Sequence, residues 1–222
     1  MEQHILTMGN YRLACQLPQQ AVRQLVYFHS PVDDLTPPGD LLEQAGAAFL
    51  CITGEDWNAD LTPWPAERVF AKGGDFGGRA DRYLRVLTEE LLPFAEHSLH
   101  AEGLPRTLAG VSLSGLFAVY AAHRTDAFHR ICSVSGSLWY DGFLDFMVQN
   151  PVSPAVRRVY LSVGSREKNA KNPRMRRVED CTLRAAGRLR QQDVDTRMEI
   201  NPGGHYADGA ERLRKGLTYI LA

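Results

Sequence analysis

The chain has 222 residues, of which 44% are hydrophobic and 23% are charged, enough apolar material for one large domain or two small ones. Its formal net charge of −1 at pH 7 argues against a protein that coats nucleic acid or an anionic membrane. The N-terminus has no basic start, and no run approaches the roughly 18 apolar residues of a membrane span. We therefore expect a cytoplasmic protein that binds neither nucleic acid nor membrane.

The cysteines are widely spaced and form no CxxC pair. Cys51 and Cys132 lie within apolar runs, where thiols usually behave as small buried hydrophobic groups. This pattern favours neither a disulfide framework nor a zinc site, and it favours a reducing compartment. The other two cysteines are Cys15 and Cys181.

Two apolar strands begin the regular part of the chain. The segments 23–29 ("RQLVYFH") and 47–53 ("AAFLCIT") predict buried strands, with a short helix starting within 41–44. A loop rich in Gly, Pro and Trp follows at 54–80, and loops of this length in a compact domain are usually functional. Apolar residues spaced by three and four then predict a helix over 81–97.

The rest of the chain alternates between strands and helices. Strands are predicted at 106–112, 130–136, 157–164 and 195–203, and helices at 114–124, 175–192 and 209–222. Alternating elements with continuous apolar strands predict one α/β domain over 1–222, a three-layer sandwich with a mostly parallel central sheet. Ligands of such sheets bind beyond the carboxyl ends of the strands.

The stretch "LAGVSLSGLF" places Ser112 between a predicted strand and a predicted helix. This is the context of a nucleophile elbow, in which a tight turn lifts a serine hydroxyl above the sheet. Gly110 fits the first small position, whereas Ser114 stands where glycine is usual and Gly115 follows it. The alternative interpretation is a structural turn of small residues without catalytic function.

A serine nucleophile needs a base, and in this order of elements the base follows the last strand. His205 alone fits, in the glycine-rich loop "INPGGHYADG", although a loop histidine can also be a solvent-exposed residue without function. The remaining histidines precede that position or lie far from it: His4, His29, His97, His100, His123 and His129.

The acid that orients the base should follow the strand "VYLSVG", which makes Glu167 the candidate. The alternative is a surface charge neutralised by Arg166 or Lys168. An oxyanion hole would use the amide of Leu113 and one amide of the loop after the first predicted strand. Pro31 has no N–H, so Ser30 or Val32 is expected to supply the second donor.

Several motifs together resemble the putative-esterase branch of the α/β-hydrolase superfamily, which contains esterase D-like and enterochelin (siderophore) esterase-like proteins. The resemblance runs from about Leu25 to the C-terminus and is carried by "DWNADLTPWPAE", "GGDFGGRADRYLRVLTEELLPF", "AGVSLSGLFAVYA", "SVSGSLWYDGF", "LSVGSREKNAKN" and "NPGGHYADG". It implies Ser112 as nucleophile and His205 as base. Relatives often have Gly-Asp-x-Glu where this chain has "GSRE" at 164–167, which leaves Glu167 as the acid.

The tryptophans are candidates for the walls of a substrate pocket, with core or lid packing as the alternative: Trp57, Trp64 and Trp139. The combined pattern predicts a serine hydrolase that cleaves a small-molecule carboxylic ester through an acyl-enzyme, without metal or organic cofactor. Acyl transfer or thioester cleavage on the same residues, and a catalytically silent binding module, are the alternatives. The ester stays open between a siderophore lactone and a short-chain acyl ester, and the pattern does not predict an oligomeric state.

Overall fold

The computed structural model describes residues 1–31, 37–69, 71 and 73–222. Its strands are β1 (Glu2–Met8), β2 (Tyr11–Leu17), β3 (Gln24–His29), β4 (Ala47–Thr53), β5 (Pro65–Ala66), β6 (Phe76–Gly77), β7 (Arg106–Val111), β8 (Arg130–Val134), β9 (Arg158–Gly164) and β10 (Asp195–Asn201). Its α-helices are α1 (Gly39–Ala45), α2 (Trp57–Asp60), α3 (Ala80–Val86), α4 (Leu92–Ser98), α5 (Leu113–Ala122), α6 (Phe143–Gln149), α7 (Pro173–Arg176), α8 (Val178–Arg190) and α9 (Gly209–Leu221).

An eight-stranded sheet in the order β1-β2-β4-β3-β7-β8-β9-β10 forms the centre of the molecule. β1 and β2 form an antiparallel hairpin whose second strand pairs antiparallel with β4, and the other neighbours in the sheet pair in parallel. β5 and β6 make a separate two-stranded ribbon within the long loop. The predicted mostly parallel sheet is confirmed.

The central strands bury both of their faces. All residues of β3 are buried, and successive side chains enter different cores: Leu25 and Tyr27 pack on one face, Val26 and Phe28 on the other. α3, α4, α5 and α8 cover the first face, whereas α1 and α9 cover the second. The predicted three-layer α/β/α architecture is therefore confirmed. This sandwich places the loops that follow the parallel strands at one edge of the sheet.

The predicted helix over 81–97 contains a π-helical turn at Leu87–Leu91 between α3 and α4. Pro93 follows this turn, and proline cannot donate a backbone hydrogen bond to the preceding turn of a regular helix. The wider π turn accommodates that missing donor. Among the described residues, no helix has both the length and the apolar character that a membrane crossing requires. The four cysteines are buried and free.

Candidate active site

Ser112 occupies a strained turn between β7 and α5. Its backbone has φ 60° and ψ −120°, a left-handed conformation that non-glycine residues rarely adopt. Ser114 fastens the turn, because its Oγ accepts from the Val111 amide and donates to the Val111 carbonyl, each at 2.8 Å. A hydroxyl side chain at position 114 therefore fits the elbow as well as the usual glycine would.

The close approach of β7 to α5 explains the glycine at the start of the motif. A Cβ added to Gly110 would lie 2.3 Å from the carbonyl carbon of Ser114, and one added to Gly115 would lie 2.8 Å from Ser133 Oγ. Glycine at position 110 lets α5 pass this close to β7, and glycine at position 115 lets it pass close to β8. The fold thereby holds Ser112 above the carboxyl end of the sheet.

His205 and Glu167 form a direct hydrogen bond. Nδ1 of His205 lies 2.7 Å from Oε2 of Glu167, and the side chains are 23% and 4% exposed. Burial would raise the pKa of Glu167, but hydrogen bonds from His205, from the Ser135 hydroxyl and from the Gly164 amide outweigh it and hold the pKa below its ordinary value. A carboxylate here accepts the hydrogen from Nδ1 and leaves Nε2 of the imidazole as an acceptor.

The other carboxylate oxygen of Glu167 lies in a cage of donors that the sequence did not reveal. Oε1 accepts from Ser135 Oγ at 2.7 Å and from the Gly164 amide at 2.6 Å. The Arg212 guanidinium donates to the same oxygen at 3.3 Å and to Ser135 Oγ at 3.1 Å. Every oxygen of the acid is thus engaged, which fixes the carboxylate against His205.

Arg212 also holds the loop that carries His205. Its Nη2 donates to the carbonyl oxygens of Pro202 and Gly204, at 2.8 and 3.0 Å. Sequence reasoning missed this buried arginine, yet a signal exists. Arg212 falls on the apolar stripe of α9, four residues before Gly216 and eight before Ile220, where a charged side chain needs a partner.

Ser112 and His205 line one cavity of about 640 Å³ at the carboxyl edge of the sheet. Glu167 lies behind His205 and lines a neighbouring cavity of about 190 Å³, whose walls also include Trp139 and Met175. The structure therefore brings the predicted hydroxyl, imidazole and carboxylate to one region, with the imidazole between the two cavities.

The tryptophans divide between two environments. Trp57 and Trp139 line the larger cavity. Trp64 is not among the residues that line this cavity: its indole N–H donates to the Asp141 carbonyl at 3.0 Å, and its own carbonyl accepts from the Tyr140 hydroxyl at 2.6 Å. These bonds make Trp64 a residue that fastens the long loop to the segment before α6.

The predicted oxyanion donors have different outcomes. Leu113 is the first residue of α5 and lines the cavity, and the first N–H groups of a helix have no partner within it. The Ser30 amide donates to the Ile52 carbonyl at 3.2 Å, which extends the β3–β4 pairing and argues against Ser30 as the second donor. The other candidate, Val32, lies outside the described residues.

His29 is a buried histidine in the cavity wall that sequence reasoning set aside. Its Nε2 lies 2.8 Å from the Tyr83 hydroxyl, and burial lowers the pKa of the imidazole to about 3. The ring is therefore neutral at physiological pH. Among the described residues, no group of three or more His, Cys, Asp or Glu side chains is arranged to hold a metal ion.

Comparison with known proteins agrees with this geometry. The family described as "Putative esterase" matches residues 9–208. This chain belongs to that family. Over 136 residues, the chain is 30% identical to "Uncharacterized protein YbbA" of Bacillus subtilis (strain 168), an alignment that covers 60% of this chain and 54% of that relative. It thus spans about half the length of the curated relative.

Solved structures share the fold. An IroE-like serine hydrolase from Shewanella oneidensis superposes on 98% of this chain and 78% of its own with a TM-score of 0.78 and 18% identity. Siderophore hydrolase EstA from Aspergillus nidulans gives the same TM-score and identity over 98% and 92% of the two chains. The enterobactin esterase FES from Shigella flexneri superposes with a TM-score of 0.73 and 20% identity, over 98% of this chain and 58% of its own. This member of the putative-esterase family therefore has the α/β-hydrolase fold.

Proposed function

We propose that this esterase cleaves a small-molecule carboxylic ester through an acyl-enzyme on Ser112, with His205 as general base and Glu167 as the acid that orients it. The observation that carries the proposal is the 2.7 Å hydrogen bond between Glu167 and His205. His205 lines the same cavity as Ser112, and Glu167 lies behind it. A serine, a buried carboxylate and an imidazole, which follow one another in this chain order, are the parts of a serine hydrolase.

The first half of the reaction forms the acyl-enzyme. Nε2 of His205 takes the proton of the Ser112 hydroxyl as Oγ attacks the ester carbonyl carbon. The amide of Leu113 stabilises the negative charge on the carbonyl oxygen, together with an amide of the loop after β3, for which Val32 is the remaining candidate. The tetrahedral intermediate then breaks its bond to the alcohol oxygen, and the imidazolium gives its proton to the leaving alcohol.

The second half releases the acid. His205 deprotonates a water molecule, which attacks the acyl carbon, and the bond to Ser112 Oγ breaks as the imidazolium returns a proton to that oxygen. Glu167 stays ionised throughout and stabilises the imidazolium, because its pKa is held low by the donors around it. An added alcohol or thiol would compete with water for the acyl-enzyme at this step. Formation of a new ester or thioester would then reveal acyl transfer.

Labelling with a fluorophosphonate probe and hydrolysis of p-nitrophenyl acetate test the proposal. We expect a covalent adduct on Ser112 and a loss of turnover of at least about 10⁴-fold in Ser112→Ala. Ser98→Ala serves as the matched control, because the Ser98 hydroxyl bonds to the Phe94 carbonyl near the end of α4 and does not line the cavity. Ester hydrolysis that survives Ser112→Ala at the level of the control would refute the mechanism.

A further inference from the structure

The larger cavity has a mostly apolar wall. Its volume of about 640 Å³ lies within the range of about 300–1,000 Å³ that small-molecule sites occupy. Aromatic and aliphatic side chains line most of it: Phe28, Trp57, Phe76, Trp139, Met175 and Leu213. Binding an apolar group against such a surface is favourable because it removes apolar area from water. Binding a charged group there is unfavourable because the charge loses its hydration.

Among the described lining residues, Arg68 alone carries a permanent charge. Its side chain is exposed, and its Nη1 donates to the Gly73 carbonyl at 3.3 Å. The carboxylate of Asp75 is close by, since its Oδ1 accepts from the Arg68 amide at 3.1 Å. An exposed cation with an acidic neighbour is screened by water and salt and attracts an anionic ligand only weakly.

Among the described residues that line the wall, the deeper polar groups add no permanent cation. His29 is neutral and its Nε2 is already bonded to the Tyr83 hydroxyl. Arg174 does not line the cavity: it stacks over the Trp139 ring at 5.5 Å and pairs with Asp141 at 2.7 Å, an aspartate that Arg177 shares at 2.6 Å. A carboxylate or catecholate that entered the cavity would give up its hydration without a buried cation among the described lining residues.

From this lining we infer that the ester bound here places an uncharged, predominantly apolar group in the cavity: an alkyl chain of about six or more carbons, or an aromatic ring. The inference rests on the proposed function, because it describes the substrate of the same site. It disfavours an anionic iron chelate, one of the substrates that the family resemblance left open, and it favours a neutral ester of an apolar acid or alcohol.

A pair of esters with the same leaving group and nearly the same chain length tests the inference. p-Nitrophenyl heptanoate ends in a methyl group, whereas mono-p-nitrophenyl adipate ends in a carboxylate. We expect kcat/KM for the heptanoate to exceed that for the adipate by tenfold or more and to exceed that for the acetate. A ratio of heptanoate to adipate below ten overturns the inference.

Substitutions in the wall test whether the cavity causes the preference. Met175 is partly buried on the short helix α7 and lines the cavity. Met175→Lys should reduce the heptanoate-to-adipate ratio at least fivefold, because it adds a cation, while Met175→Leu keeps the ratio within twofold. The inference is overturned if the heptanoate-to-adipate ratio is unchanged in folded Met175→Lys. It is also overturned if the wild-type protein prefers the adipate and Arg68→Gln removes that preference.

The same assays separate this inference from the proposed function. Fluorophosphonate labelling of Ser112 together with acetate hydrolysis establishes the catalytic machinery whatever the chain preference. Labelled, active enzyme that favours the adipate refutes the substrate class alone. Absence of both labelling and acetate turnover refutes the proposed function and, with it, the inference.

Discussion

Arg212 and Glu167 form an ion pair from which water is almost excluded. Nη1 of the arginine lies 3.3 Å from Oε1 of the glutamate, and the two side chains are 2% and 4% exposed. The same guanidinium bonds to the carbonyls of Pro202 and Gly204, on the loop that carries His205. Arg212 therefore positions both the acid and the base although it touches neither Ser112 nor the cavity.

Replacement of Arg212 by methionine should destabilise the fold and impair catalysis together. It leaves the Glu167 carboxylate buried without its cation, a loss that typically costs about 3–5 kcal/mol. Urea denaturation measures this loss. We also expect kcat/KM to fall, because Arg212 bonds both to the acid and to the loop that carries His205. A stability within about 1 kcal/mol of wild type would contradict this account.

Glu167→Gln tests the role of the acid in a different way. The amide keeps the size of the side chain but cannot stabilise an imidazolium by charge, and it can turn its NH₂ group toward Nδ1 and favour the wrong tautomer. We expect kcat/KM to fall by about 10³–10⁴-fold in an assay with p-nitrophenyl esters. Glu179→Gln is the control, because Glu179 pairs with Lys168 at 3.1 Å and does not contact His205. A decrease of less than tenfold in Glu167→Gln would assign the acid elsewhere.

The elements that could be predicted from the sequence are those with a strong local pattern. β4 has the bounds 47–53 that its apolar run predicts, because a strand buried on both faces needs continuous apolar residues. The hairpin of β1 and β2 was not predicted. β1 lies at the edge of the sheet and alternates between exposed and half-buried residues, so it has no continuous apolar run. Its signal was the two-residue turn at Gly9 and Asn10, with Gly9 at φ 59°.

Catalytic candidates could be placed from chain order because each follows directly on a strand, whereas their partners could not. Arg212 bonds to Ser135 and Glu167, which are distant in sequence, and the positions of such segments depend on the whole sheet. For the same reason the sequence did not exclude Ser30: whether its amide is consumed depends on how far β3 and β4 pair. Local patterns predict elements, and tertiary contacts decide which polar groups remain available.

Glu55 should make the stability of the protein depend on pH. Neither of its carboxylate oxygens has a hydrogen-bond partner in the described part of the chain, and burial raises the pKa of the carboxyl from 4.5 to about 7. The folded state therefore binds a proton that the unfolded chain has released between these values, so the free energy of unfolding falls as pH rises through that window.

Glu55→Gln removes this titration. Relative to wild type, the variant should gain about 1–3 kcal/mol of unfolding free energy between pH 4 and pH 8. The comparison with wild type cancels the opposite contribution of His29, whose lowered pKa makes stability rise with pH below 6.5. Urea denaturation at several pH values measures the difference, and a difference that stays constant with pH would show that Glu55 does not titrate in this range.

Two glycine-to-alanine substitutions should have opposite effects. A Cβ at Gly110 would overlap the Ser114 backbone at 2.3–2.4 Å, so Gly110→Ala should separate α5 from β7, destabilise the fold by about 1–3 kcal/mol or more, and displace Ser112. Gly187 lies within α8 with no atom within 4 Å of an added Cβ. Gly187→Ala should therefore stabilise the helix by roughly 0.5–1 kcal/mol and leave activity unchanged. Thermal denaturation and p-nitrophenyl acetate hydrolysis of both variants measure this contrast, and full activity in Gly110→Ala would show that the elbow does not depend on the close contact.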